Sequence, residues 1–97
     1  MALLDLLGRR WALRVLWELH GREGVPTFRD LQAACGGISS SVLNERVREL
    51  RAAGIVAERD GRGYRLTGEG RELLRALEPI DAWAKSWAER ERRRAGP

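Results

Sequence analysis

Glycine punctuation in the middle of the chain leaves room only for brief helices and a tight hairpin. Gly36–Gly37 and Gly54 bound two segments of helical period, and Asp60–Gly61–Arg62–Gly63 is a turn between two short runs. The first segment, Phe28–Cys35, follows Thr27, a good N-cap, with Asp30 at its third position. Phe28, Leu31 and Cys35 share its inner face. The second segment follows the cap hydroxyls of Ser39–Ser41 and runs to about Ala53, with Leu43, Val47 and Leu50 inward. Gly54 stops it where left-handed backbone is expected. Ile55–Arg59 then alternates, with Ile55, Ala57 and Arg59 on one side and Val56 and Glu58 on the other, and Tyr64–Thr67 returns. Helix, glycine turn, helix and hairpin make a winged helix-turn-helix.

The flanks are helical. Leu3, Leu4, Leu6 and Leu7 form an apolar opening, a helix start or an arm, that ends at Gly8. Arg9–His20 carries Ala12, Val15, Leu16 and Leu19 on one face and a second stripe, Leu13 and Trp17, on another. A helix apolar on two faces needs two partners, the core and either a packing helix or another subunit. From Gly68 to about Arg94, Leu73, Leu77, Ile80, Ala84 and Trp87 form a heptad seam that Leu74 and Trp83 widen. Pro79 falls inside it and is expected to kink or restart the helix. Arg90–Pro97 is charged and is expected to fray. The expected class is mostly α (α+β), one domain over 1–97: an arm (1–8), a winged-helix core (9–67) and a long C-terminal helix (68–94).

At 97 residues there is one modest core, and 43% apolar with 33% charged residues describes a globular chain, not a disordered one. No run of 18 apolar residues spans a membrane, and Asp5 inside the leucine cluster, with no basic stretch before it, does not fit a signal peptide. A lone cysteine, Cys35, makes no intramolecular disulfide. The expectation is a cytoplasmic protein with no membrane partner. Lys and Arg number 18 against 14 Asp and Glu, for a net charge of +4, and Lys85 is the one lysine. Guanidiniums suit phosphates and guanine edges. Genome base composition also favours arginine, so charge alone leaves both explanations open.

In the winged-helix geometry the second helix, about 39–53, lies in the major groove. Its outward residues are Ser39, Ser40, Ser41, Asn44, Glu45, Arg48 and Arg51. Asn pairs with adenine, Arg with guanine, and a serine-rich helix start exposes N–H groups that suit a phosphate. Arg46 lies at the edge of the core and either reads DNA or braces the helix. The wing, 55–67, carries Arg59 and Arg65, with Arg62 at its tip against backbone or minor groove. The plainer alternatives are a solvated helix face and an edge hairpin kept soluble by charge.

Gly8–Arg9–Arg10–Trp11, Phe28–Arg29–Asp30–Leu31, Gly37–Ile38–Ser39, Val42–Leu43, Arg46–Val47–Arg48–Glu49–Leu50, Gly54–Ile55–Val56 and Tyr64–Arg65–Leu66–Thr67–Gly68–Glu69–Gly70 occur in that order. Together they resemble the HxlR-type winged helix-turn-helix regulators, relatives of the MarR group, over about Leu7–Ala88. The resemblance implies a homodimeric transcriptional regulator that binds double-stranded DNA at a pseudo-palindromic operator. It also implies dimerisation through the N-terminal segment and the C-terminal helix. The surplus apolar residues lie there: Leu3, Leu4, Leu7, Leu13, Trp17, Leu77, Ile80, Trp83 and Trp87. Many such regulators sense oxidants through a cysteine shortly before the stretch matching Gly8–Trp11, where this chain has Leu3–Leu7. Its wing is also shorter than is typical.

Cys35 on an inner helix face reads as a small core hydrophobe, with redox sensing the alternative and Arg29 or Arg48 the candidate cations for its neighbourhood in the fold. The four tryptophans read as core and dimer packing, the alternative being a small-molecule effector pocket at Trp83 and Trp87. One histidine, His20, and no metal-ligand spacing leave no catalytic constellation, metal or cofactor to assign. The rival to a DNA-binding regulator is a winged-helix protein-interaction module that binds no DNA.

Overall fold

Local capping chemistry sets most of the element boundaries. The computed structural model describes residues 2–22 and 24–96. Helix α1 (Ala2–Leu7) ends at Gly8, whose N–H donates to the Leu4 carbonyl at 2.8 Å. Helix α2 spans Ala12–His20, not Arg9–His20. The three residues after Gly8 reverse the chain, and Trp11 takes a left-handed φ of 78°, a conformation that non-glycine residues seldom adopt. Helix α3 (Phe28–Cys35) starts with a reciprocal cap: the Asp30 N–H donates to Thr27 Oγ1 at 3.1 Å, and the Thr27 N–H to Asp30 Oδ2 at 2.9 Å. These bonds favour the ionised carboxylate and hold the Asp30 pKa below its ordinary value. Helix α4 (Ser40–Ala52) starts at Ser39, whose Oγ accepts from the Val42 N–H at 3.2 Å. Gly54, at φ 76°, turns the chain out of it.

Strands β1 (Val56–Arg59) and β2 (Gly63–Leu66) pair antiparallel, Val56 opposite Leu66 and Arg59 opposite Gly63. Asp60 and Gly61, at φ 51° and 67°, form the turn, closed by the Arg62 N–H on the Arg59 carbonyl at 2.9 Å. Two positive φ values match the right-handed twist of a hairpin. The return strand starts and ends one residue earlier than its sequence pattern implies, because Thr67 serves the next helix. The Thr67 Oγ1 accepts from the Gly70 N–H at 3.0 Å and donates to the Gly54 carbonyl at 2.6 Å. One side chain therefore ties the start of α5 (Gly68–Ala95) to the end of α4.

The core is continuous across helices and wing. Val15, Leu16, Leu31, Leu43, Leu50 and Leu74 are fully buried. Of the inner-face residues expected on α3, Leu31 and Cys35 are buried and Phe28 packs half-buried against the core. The segment before α3 also braces the wing, since the Tyr64 N–H donates to the Pro26 carbonyl at 2.9 Å. Gly63 leaves room for that approach: a Cβ there would lie 2.5 Å from the Pro26 oxygen.

Helix α5 runs unbroken through Pro79 and does not restart there. Pro79 is exposed, so water can reach the carbonyl that loses its donor. Only Gly70 and Leu74 of its 28 residues are buried. The radius of gyration, 14.8 Å, exceeds the roughly 13 Å of a compact chain this long, and the longest dimension is 52 Å. The excess length is the distal part of α5.

Candidate nucleic-acid interface

Helix α4 and the hairpin β1–β2 are seated on the core through Leu43, Val47, Leu50, Val56 and Leu66, which leaves their other faces to solvent. The residues read from the sequence as contacts divide into two groups. Ser39 Oγ is occupied as the helix cap and lies 3.4 Å from Ser41 Oγ. Ser40 Oγ accepts from Gln32 Nε2 at 3.0 Å, which ties α4 to α3. Arg51 reaches the wing, with Nη1 3.0 Å from Glu58 Oε2. Asn44, Arg48, Arg59 and Arg62 are all exposed, and among the described residues their side chains make no hydrogen bond or ion pair.

Arg46 braces the helix. Its side chain is 12% exposed, pairs with Glu49 and lies 3.9 Å from Glu45. Glu49 also forms an ion pair with Arg9, whose Nε lies 2.9 Å from Oε2, so one carboxylate joins α4 to the turn before α2. The Arg9 partner is invisible to a reading of α4 alone, because the two residues are 40 positions apart.

The apolar residues of the flanks also divide. Leu3, Leu4, Leu13, Ile80, Trp83 and Trp87 are exposed large hydrophobics. Leu7 and Trp17 instead pack partly against the chain's own core, and Leu77 is half-buried. Trp83 and Trp87 stack with centroids 6.2 Å apart and planes at 10°. Leu13, Trp17, Leu77, Ile80 and Ala84 line a cleft of about 370 Å³ between α2 and α5. No helix of the described residues is long and apolar enough to cross a membrane. No group of three His, Cys, Asp or Glu among them is placed to hold a metal.

Cys35 is buried, and its cationic neighbours are Arg14 and Arg22 instead of Arg29 or Arg48. Burial pushes its thiol pKa up, and Arg14, which favours the thiolate, does not overcome that. The native protein should react with iodoacetamide far more slowly than the urea-unfolded chain. Because the folded pKa is raised, stability is full below the ordinary thiol pKa and falls as pH climbs through it. Equal native and unfolded labelling rates would contradict this placement.

The sequence pattern of HxlR-like helix-turn-helix proteins matches residues 6–92. This chain belongs to the HxlR-like helix-turn-helix family. The HxlR-like chain is 30% identical to an uncharacterised HTH-type transcriptional regulator of Methanocaldococcus jannaschii, over 92% of this chain and 85% of that one. Its fold is similar to that of a possible HxlR family transcriptional factor from Thermoplasma volcanium (TM-score 0.83, 26% identity, 92% of this chain and 84% of the other). It is also similar to a MarR family regulator from Enterococcus faecalis (TM-score 0.79, 31% identity, 93% and 86%). The HxlR-like chain is a transcriptional regulator of the helix-turn-helix type, in a family of regulators and not of enzymes.

Proposed function

We propose that the chain acts in the cytoplasm as a symmetric dimer that binds a pseudo-palindromic duplex, with one α4 in each of two major grooves. The observation that carries this reading is the set of exposed, unpaired Asn44 and Arg48 on α4 beside Arg59 and Arg62 on the wing. Asn44 and Arg48 share an exposed face at a four-residue spacing, where amide and guanidinium forks can reach base edges. Arg62, next to the hairpin turn, supports a backbone or minor-groove contact. Arg51 is held by Glu58 and serves to fix the wing relative to α4. Two recognition helices related by a two-fold axis match half-sites about 34 Å apart.

Selection of bound sites from a random duplex pool, read at two salt concentrations, tests the proposal. An enriched two-fold-symmetric site with a steep salt dependence is the expected result. Unselected binding at low salt alone, by a folded dimer, would favour the protein-interaction module. On the selected site, Arg48→Ala should weaken binding by about 1–3 kcal/mol and relax preference at one base pair. Arg62→Ala should weaken all sites alike. An unchanged base preference in Arg48→Ala would remove Arg48 from readout.

A further inference from the structure

Apart from the α4 face, the chain gathers arginines at a second place. Arg22 after α2, Arg65 on β2, and Arg71 and Arg75 on the first turns of α5 all line one cavity of about 380 Å³. No carboxylate of the described residues lines it. His20 also lines it, and its Nε2 lies 3.5 Å from Glu78 Oε1. None of the four guanidiniums is in an ion pair among the described residues. Arg71 is nonetheless fixed, because its Nη1 donates to the Leu66 carbonyl at 3.1 Å. Four like charges around one concavity repel one another, and an anion within it relieves that repulsion.

The floor of the cavity is different in kind. Leu19, Pro26, Tyr64 and Leu66 supply apolar surface beneath the arginine rim. Leu19, Pro26 and Leu66 are buried members of the fold, and Tyr64 is half-buried. The volume lies within the usual range for small-molecule sites, roughly 300–1,000 Å³, and a mainly apolar wall with a few convergent polar groups is their usual composition. Guanidinium forks match the oxygens of a phosphate in bidentate geometry.

We propose that this cavity binds a small organic phosphate: a dianionic head among Arg22, Arg65, Arg71 and Arg75, and an apolar body on Leu19, Tyr64 and Leu66. A duplex backbone is the competing source of phosphate. The concavity and its apolar floor favour the small molecule, as does the absence of any α4 residue from the lining. The site stands whether or not the DNA reading does, because its test uses no operator.

The test is methyl NMR titration of the full chain at constant ionic strength with three probes: phenyl phosphate, inorganic phosphate and benzyl alcohol. Phenyl phosphate is expected to shift the Leu19 and Leu66 methyls and to bind at least about tenfold more tightly than either other probe. Arg22→Ala with Arg75→Ala removes two exposed side chains that make no hydrogen bond or ion pair among the described residues, and should weaken phenyl phosphate about tenfold or more with unchanged melting. Should that pair melt differently, Arg75→Gln alone reads the same loss at smaller amplitude. Equal affinity for phenyl phosphate and inorganic phosphate, or affinity untouched by these substitutions, overturns the proposal. So does a short random-sequence duplex that displaces phenyl phosphate and shifts the same methyls, since that assigns the arginines to the DNA backbone.

Discussion

Gly70→Ala should destabilise the protein by about 3 kcal/mol or more, at or beyond the upper end of ordinary overpacking. A Cβ at Gly70 would overlap the Ile55 carbonyl oxygen and press on Leu66 Cδ2, 3.2 Å away. Neither neighbour is free to move. The Ile55 oxygen accepts the Thr67 N–H at 3.0 Å, and Thr67 caps α5 by accepting the Gly70 N–H at 3.0 Å. Lifting α5 to make room breaks that cap and uncovers Leu74, which is fully buried. For a domain of this size the melting temperature should fall by more than about 12 °C. Gly21→Ala is the control: its φ is −85° and its Cβ would sit 3.7 Å from the Trp17 carbonyl. That substitution should be neutral or stabilise by up to about 1 kcal/mol. Thermal unfolding followed by circular dichroism reads both, and a Gly70→Ala protein melting within a few degrees of the parent would show that α5 is seated with slack.

The second large effect is expected on assembly. Ile80→Glu with Trp83→Glu places two charges on a face where these residues are 60% and 59% exposed in the single chain. Neither side chain belongs to the core, so the winged-helix fold of one chain should survive. A second copy laid on that face would have to bury both carboxylates unpaired, which association does not tolerate. If the protein assembles as the proposed dimer, sedimentation should then show a monomer for the variant and a dimer for the parent. Affinity for a two-half-site operator should drop by roughly 10²–10⁴-fold, because each half-site is then bound without the local concentration its neighbour supplies. A variant that sediments and binds as the parent does would move the subunit interface away from this part of α5.

What could be read before the structure was what neighbours in sequence decide. The limits of α3 follow from Thr27, Asp30 and the Gly36–Gly37 pair, all within reach of the helix they bound. The same holds for the end of α4 at Gly54. The start of α2 does not follow from such local rules, because the turn at Trp11 uses a left-handed residue that is not glycine. Pro79 does not restart the helix, because a locally disfavoured residue is accommodated on the exposed side of a long helix. On the candidate site, Asn44 and Arg48 stand exposed where helical periodicity puts them and Arg62 where the turn does, whereas strand alternation groups the exposed Arg59 with Ile55, which is buried. The attachment of Arg51 to Glu58 and of Ser40 to Gln32 depends on how separate elements dock. The arginine cavity is a stronger case, since its members come from three segments that meet only in the folded chain.

The length of α5 has a thermodynamic consequence. Its 28 residues extend for roughly 42 Å at 1.5 Å per residue, yet nothing beyond Leu74 is buried by the chain itself. Helices without tertiary contacts are marginal in water, because nucleation and backbone ordering are offset mainly by packing. In the proposed dimer the distal turns would gain much of their order from the partner's cover of Ile80, Trp83 and Trp87, which the single chain leaves exposed. With a second copy as that cover, helix content becomes a function of concentration: dilute chains carry a melted tail, and abundant ones a rigid rod. Cellular abundance is then itself an input, setting a threshold below which the protein is folded at its head but unassembled.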